Sequence, residues 1–307
     1  MPAAISRRFF SSDRDGIEIM NPYQPFVASF ARLVAEGKSL PLGGIPPRGQ
    51  PRPKPYAPSV LIFSPHPDDE CIVGALALRL MGEAGMSVIN VAVTQGSSQE
   101  RREPRWRELK NACDWLGFGL ERTAPGGLER INQETRAKDP KHWTGAVQII
   151  AASLAQHQPR AIFFPHDLDW NSTHVGTHFL VMDALKSLPA DFQTCLVETE
   201  FWGQMASPNL MVESSVEDAA ALVAALSFHI GEVRRNAYHL RMPAWLQDNV
   251  RRGAELVGGQ GGTAPDFAFA TLYRLRRWKR GRVENVYEGG RQISRTENPA
   301  GVFGLTG

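Results

Sequence analysis

The segment Pro65-His66-Pro67-Asp68-Asp69-Glu70 places four ionisable side chains within five residues, directly after the apolar run Ser59–Ser64. Holding so many chargeable groups at the end of a buried element is costly unless they bind something. Imidazole nitrogen together with carboxylate oxygen is a donor set that suits zinc. Adjacent Asp68 and Asp69 cannot point the same way, so one can ligate while the other faces a metal-bound water. For either aspartate alone the competing account is a cap on the following helix, but a cap needs neither a histidine nor a second carboxylate. A second concentration runs from His166 through Asp167, Asp169, Asn171 and His174 to His178, after the apolar run Ala161–Pro165.

The elements around these clusters explain how they could meet. Ser59–Ser64 and Val88–Thr94 read as strands buried on both faces, and Gly74–Ala84 between them reads as a helix. That order implies a parallel pair with a right-handed crossover. The pattern repeats with helices over Glu103–Leu116, Gly145–Gln156 and His174–Lys186 and a strand over Ala161–Pro165. Strands follow at Cys195–Phe201 and Leu210–Val212, then a helix at Val216–His229 and a late strand at Phe267–Arg274. The expectation is an α/β fold, Rossmann-like and doubly wound, with a mainly parallel sheet and helices on both faces. Ligands in such folds bind beyond the carboxyl ends of the strands, which is where both clusters lie. The expected organisation is an N-terminal helix (Asn21–Gly37) and Pro/Gly-rich arm over 1–58, one α/β domain over 59–288, and a loose polar tail over 289–307.

His-Pro-Asp-Asp-Glu after an apolar strand resembles the signature of the PIG-L/LmbE-like family of zinc-dependent N-deacetylases, which act on N-acetylglucosamine-containing conjugates. Carried over by position, the resemblance implies that His66 and Asp69 are zinc ligands, that Asp68 is the general base, and that Glu70 supports them from behind. It aligns His174 with the third zinc ligand and Asp169 with the aspartate that precedes it. Where the family has a first histidine that helps the tetrahedral intermediate, this chain has Asn171. An asparagine can donate a hydrogen bond to an oxyanion but cannot act as a general acid. His178, four residues after His174, His166 and His229 are candidates for the missing role; a packed or surface histidine is the plainer account of each. The implied activity is removal of an N-acetyl group by metal-activated water.

On the substrate side, Val93-Thr94-Gln95-Gly96 and the Arg105/Glu108 pair fit family segments, and the resemblance implies that Arg105 contacts substrate hydroxyls or an anionic aglycone. A solvated helix charge with an i,i+3 partner is the competing account. Arg105, Asp169 and His178 form the expected substrate-facing set. The expected cofactor is Zn2+, with Fe2+ as the alternative, because two histidines and one carboxylate also make an iron(II) site. A non-catalytic protein that binds a sugar conjugate is the other alternative.

A net charge of +2 gives no reason to expect a nucleic-acid partner. The expected partner is a small-molecule or lipid-linked sugar. No apolar run is long enough for a transmembrane helix. The basic run Arg274–Arg282 reads as a solvated strand edge, with contact to an anionic membrane surface as the alternative. Three widely spaced cysteines, Cys71, Cys113 and Cys195, form no CxxC pair and point to a reducing, cytoplasmic compartment. Met1–Ser12 faintly resembles a transit peptide, yet it lacks an apolar segment and reads as a frayed terminus.

Overall fold

A computed structural model of the protein describes residues 21–49 and 56–304. The expectations for Met1–Ser12 and for part of the Pro/Gly-rich arm lie outside the described residues. Helix α1 (Gln24–Gly37) belongs to one compact unit ending at Leu40, and the rest of the chain, from Pro41, forms a second. The second unit carries the chemistry.

Its sheet is built from β1 (Ser59–Ser64), β2 (Ser87–Ala92), β3 (Gly119–Arg122), β4 (Ala161–Pro165), β5 (Thr194–Thr199), β6 (Leu210–Ser214), β7 (Phe269–Lys279), β8 (Arg282–Asn285) and β9 (Arg291–Ile293). The order is β3-β2-β1-β4-β5-β7-β6-β9, with β8 on β7. The five strands β3 to β5 are parallel, whereas β7 runs antiparallel to β5, β6 and β8. The fold is therefore the expected α/β doubly wound arrangement with a mostly parallel sheet.

The helices of this unit are α2 (Ala75–Ala84), α3 (Arg102–Leu116), α4 (Gln133–Lys138), α5 (Pro140–His157), α6 (Ser172–Lys186), α7 (Val216–Leu226), α8 (Ile230–Arg235) and α9 (Met242–Leu256). Alternation along β1 shows why its run is continuously apolar. Val60 and Ile62 join the core with residues of α2, α3 and α7, while Leu61 and Phe63 join a second core with α5 and α6. A strand covered on both faces has no solvent side to make polar.

β1 is followed in the chain by β2 on one side, while β4 pairs on its other side. The chain thus reverses its direction of winding between β1 and β4, opening a crevice at their carboxyl ends. Both ionisable clusters begin at that crevice.

Two expectations about the C-terminal part are corrected. β7 is no solvated edge, because it is paired on both sides, and Arg274 and Arg276 reach the fully buried Glu198 at 2.7 and 2.6 Å. The residues beyond Gly289 are not a loose tail. Arg291–Ile293 pairs in parallel with β6, and Ile293, Val302 and Phe303 are buried in the core. Few apolar residues lie in this segment, but they are the ones that pack.

Candidate metal centre and its cleft

After β1 the chain turns through Pro65 into a single 3-10 turn, Asp69–Cys71. Asp68 stands at φ 118°, a backbone region costly for a residue with a Cβ. Its conformation is held by Glu70, whose Oε2 accepts the Asp68 backbone N–H at 2.9 Å. Glu70 is held in turn by His229, with Nε2 to Oε1 2.6 Å, both side chains being fully buried. The kinked turn puts Asp68 and Asp69 on different sides, as adjacent carboxylates require.

Asp69 turns inward. Its Oδ2 accepts the His66 backbone N–H at 2.8 Å and lies 3.5 Å from His66 Nδ1 and 3.3 Å from His174 Nε2. The two ring nitrogens face each other at 3.2 Å. His66, Asp69 and His174 together form a group able to hold a metal ion.

Three observations test the fit. Tetrahedral zinc with Zn–N bonds of about 2.0–2.1 Å places two nitrogens about 3.3 Å apart, close to the separation found here. Asp69 Oδ1 is buried without a hydrogen-bond partner, a donor atom awaiting a cation. Burial works against charge on His174, but Asp69 and Asp169 outweigh it and raise that imidazole to about 10. The site therefore favours positive charge where Nε2 points. Burial likewise opposes the charge of Asp69, yet the neighbouring histidines hold its carboxyl well below the ordinary range.

Helix α6 supplies His174 from its first turn. Asn171 caps that helix, its Oδ1 accepting the Thr173 N–H at 2.9 Å. Using its oxygen this way leaves the NH2 of Asn171 as the free end of its amide, and the residue lines the cleft. Asp169 was expected to face substrate, but it sits behind His174. Its Oδ2 lies 3.4 Å from His174 Nδ1 and accepts backbone N–H groups of Trp202 and Gly203 at 3.2 Å. It orients the imidazole, as carboxylates behind metal-binding histidines commonly do.

His178 does not join the site either. Its Nδ1 meets Pro165 O at 3.0 Å, and its ring packs on Phe164 and Phe179. His166 spends Nε2 on Gly203 O and Nδ1 on the Leu168 N–H. No histidine of the second cluster lines the cleft, and only His174 joins His66 and Asp69, so none replaces the histidine that the resemblance places at Asn171.

Asp68 faces a cleft of about 540 Å3 that His66, Asn171, Arg105 and Trp170 also line. Burial, reinforced by Asp69, raises its carboxyl to about 7. Arg105 donates to Pro67 O at 3.0 Å and lies 4.0 Å from Asp68 Oδ1. Gly96, at φ 81°, leaves room for that guanidinium, since a Cβ there would lie 2.4 Å from Arg105 Nη1. Arg101, Arg105 and Arg235 all pair with Glu232. The cleft wall therefore carries more positive than negative charge.

Sequence reasoning missed Tyr238, whose hydroxyl donates to Asp68 Oδ2 at 2.5 Å. It also missed Trp202, which packs on Tyr238 with ring centroids 5.5 Å apart. No motif announces either residue.

The fold and this centre define a doubly wound α/β protein with a two-histidine, one-aspartate site at its switch point. Residues 61–185 match the PIG-L family model, described as GlcNAc-PI de-N-acetylase. No curated protein matches the chain in a sequence comparison.

Among solved structures, the fold is similar to that of N,N'-diacetylchitobiose deacetylase from Pyrococcus horikoshii. The TM-score is 0.51 at 16% identity, covering 83% of this chain and 93% of that one. It is also similar to GalB, the 4-carboxy-2-hydroxymuconate hydratase from Pseudomonas putida, with a TM-score of 0.52 at 15% identity, covering 71% and 95%. The A40926 pseudoaglycone deacetylase Dbv21 gives a TM-score of 0.50 at 15% identity, covering 72% and 97%. At such identities the likeness is one of fold, and a hydratase among these structures shows that the fold alone does not choose the reaction. The family match is what supports a hydrolase of the deacetylase type. Among the described residues no helix is long and apolar enough to cross a membrane.

Proposed function

We propose that the protein is a metal-dependent N-deacetylase acting on an N-acetylglucosamine-type sugar conjugate, with zinc held by His66, Asp69 and His174. The observation that carries this reading is the convergence of His66 Nδ1 and His174 Nε2 beside Asp69, with the carboxylate of Asp68 turned into the adjoining cleft. A divalent ion bound there supplies Lewis acidity to the amide carbonyl and lowers the pKa of water.

The chain's own residues do the rest. Asp68, held through Oδ2 by Tyr238, takes the proton of the attacking water and returns it to the departing amine. The NH2 of Asn171 donates to the oxyanion that develops on the acetyl carbonyl. Asp169 keeps His174 in the tautomer that leaves Nε2 facing the ion. Arg105 and the neighbouring arginines contact hydroxyls or an anionic aglycone of the conjugate, free or lipid-linked. Three buried, unpaired cysteines accord with a reducing, cytoplasmic setting.

The test measures free-amine release from N-acetylglucosaminides with and without a chelator, beside metal analysis of protein purified without added metal. Asp68→Asn is expected to lose at least about 100-fold in kcat while keeping its metal. Undiminished hydrolysis by that variant removes Asp68 as the base, and stoichiometric iron with oxygen dependence replaces the hydrolase by an iron enzyme. A second reading, a sugar-conjugate-binding protein without turnover, rests on Asn171 standing where the family has a histidine. Any metal-dependent turnover discards it.

A further inference from the structure

Beside the polar cleft lies a second cavity of about 220 Å3 with a different character. Ile72, Phe201, Trp202, Leu226, Met242 and Trp245 form its apolar walls, together with the ring of Tyr238. Its one buried carboxylate, Glu200, is neutralised by Arg252, with Nη2 to Oε1 at 2.7 Å. Gln204 and Arg241, its other polar side chains, are exposed.

The cavity abuts the reacting groups. Phe201 sets its ring edge-on to His174 at 5.1 Å between centroids. Tyr238 carries the hydroxyl that holds Asp68. Trp202 belongs to both walls, so the polar cleft and the apolar cavity meet at one indole.

An amide carbonyl placed between the metal donors and Asp68 has two substituents to accommodate. The charged cleft with Arg101, Arg105 and Arg235 suits a hydroxylated sugar on the nitrogen side. The apolar cavity suits the other substituent, the acyl group. An acetyl group offers a single methyl, whereas at about 30 Å3 per water-sized group the cavity has room for about seven. Filling an apolar space with apolar groups is favourable, and leaving it to water wastes that gain.

We propose that this cavity is an acyl-binding site and that the preferred amide carries a medium-length apolar acyl chain, about four to eight carbons, rather than acetyl. The proposal rests on the amidohydrolase reading of the same centre and, within it, replaces acetyl by a longer acyl group as the preferred substrate. An apolar chain could equally be presented as the aglycone of the sugar, so the test carries both.

Full-length metal-loaded protein is assayed on N-acetyl-, N-butyryl-, N-hexanoyl- and N-octanoylglucosamine and on the octyl glycoside of N-acetylglucosamine. Expected is a rise in kcat/KM of up to about fourfold per added methylene of the acyl chain until the cavity is full. Met242→Trp, which fills the cavity from α9, is expected to abolish the rise with acyl length, read as the ratio of kcat/KM for the hexanoyl and acetyl substrates within that variant. Trp245→Ala, which enlarges the cavity, is expected to shift the optimum to longer chains and serves if the first variant fails to fold. A preference for acetyl overturns the proposal, as does a gain confined to the octyl glycoside or a series unchanged in both variants.

Binding of hexanoate, followed through tryptophan fluorescence, separates the two levels of inference. Hexanoate that binds to the parent and not to Met242→Trp, without cleavage of any amide, sinks the hydrolase reading and leaves the cavity assignment standing. Cleavage of acetyl alone, with no hexanoate binding, does the reverse.

Discussion

Asp68 is held by three independent parts of the chain, and each restrains a different degree of freedom. Glu70 fixes its backbone at φ 118°, Arg105 lies 4.0 Å from Oδ1, and Tyr238 donates to Oδ2 at 2.5 Å. A carboxylate that accepts a proton at one oxygen must keep that oxygen aimed, and the phenol does so by occupying the other. Tyr238→Phe removes only this hydroxyl and keeps the apolar ring against Trp202. A hydrogen bond to a charged group contributes about 1.5–3 kcal/mol, so kcat is expected to fall about 10- to 100-fold with KM and bound metal unchanged. A fall confined to KM, or loss of metal, would show that Tyr238 does something else. The group of His66, Asp69 and His174 that could hold a metal was legible because two of its members stand in one contiguous motif and the third follows a strand of the same kind. Tyr238 was not, since it lies 170 residues from Asp68 and a lone tyrosine carries no pattern. Asp169 and His178 were legible as chemistry but not as orientation. Sequence spacing did not reveal that one would back His174 and the other would turn to Pro165 O.

At the scale of elements, the precision of the centre depends on how α6 is seated, because His174 rides on its first turn. Gly176 lets that turn approach the backbone at Ile131, whose carbonyl oxygen would lie 2.3 Å from an added Cβ. Two turns on, Asp183 receives Arg136 through Nε at 2.7 Å and Nη2 at 3.1 Å, and the Trp143 indole N–H at 3.1 Å. This tie joins α6 to α4 and α5. Partial burial tends to raise the Asp183 carboxyl, but Arg136, Lys186 and Trp143 outweigh it and leave it below its ordinary value. A carboxyl depressed by folding stabilises the protein above its unfolded pKa of about 3.9, and that stability is lost as pH falls through the folded value. Asp183→Asn is expected to cost about 1 kcal/mol at neutral pH, read from urea midpoints, with the difference from the parent shrinking below about pH 4. A difference that stays constant down the acid limb would deny the charge its part. The helices α2, α3, α5 and α6 were readable from apolar periodicity; α4, α8 and α9 were not. α9 buries Met242, Leu246, Val250 and Ala254 at helical spacing, but Arg251, Arg252 and Asn249 between them dilute the pattern.

For the whole molecule, the sequence from Ser59 onward reads as a repeating strand and helix, and that regularity made the parallel half of the sheet foreseeable. The antiparallel half depends on pairings between distant segments. β7 joins β5 to β6 and carries Arg274 and Arg276 to the buried Glu198, so the start of a basic run that looks like solvated surface is half-buried and paired, while Arg280 and Arg282 stay exposed. The final segment closes this half. Arg79 on α2, whose side chain is fully buried, donates through Nη2 to Ser294 O at 3.0 Å and Glu297 O at 2.6 Å, besides pairing with Glu83. Ending the chain after Gly289 would remove both carbonyls, strip β6 of its partner β9, and take Ile293, Val302 and Phe303 out of the core. Each buried apolar side chain contributes about 1.5–3 kcal/mol, and an orphaned buried donor costs about 1–3 more. The total is of the same order as the entire stability of a domain, about 5–15 kcal/mol. The truncated protein is accordingly expected to be insoluble or to melt far below the full-length chain in circular dichroism. Restoring Arg291–Ile293 alone should recover little, because the carbonyls that Arg79 needs and the pair Val302 and Phe303 lie beyond it. An unchanged melting temperature after truncation would return this segment to the loose tail that its polar composition implies.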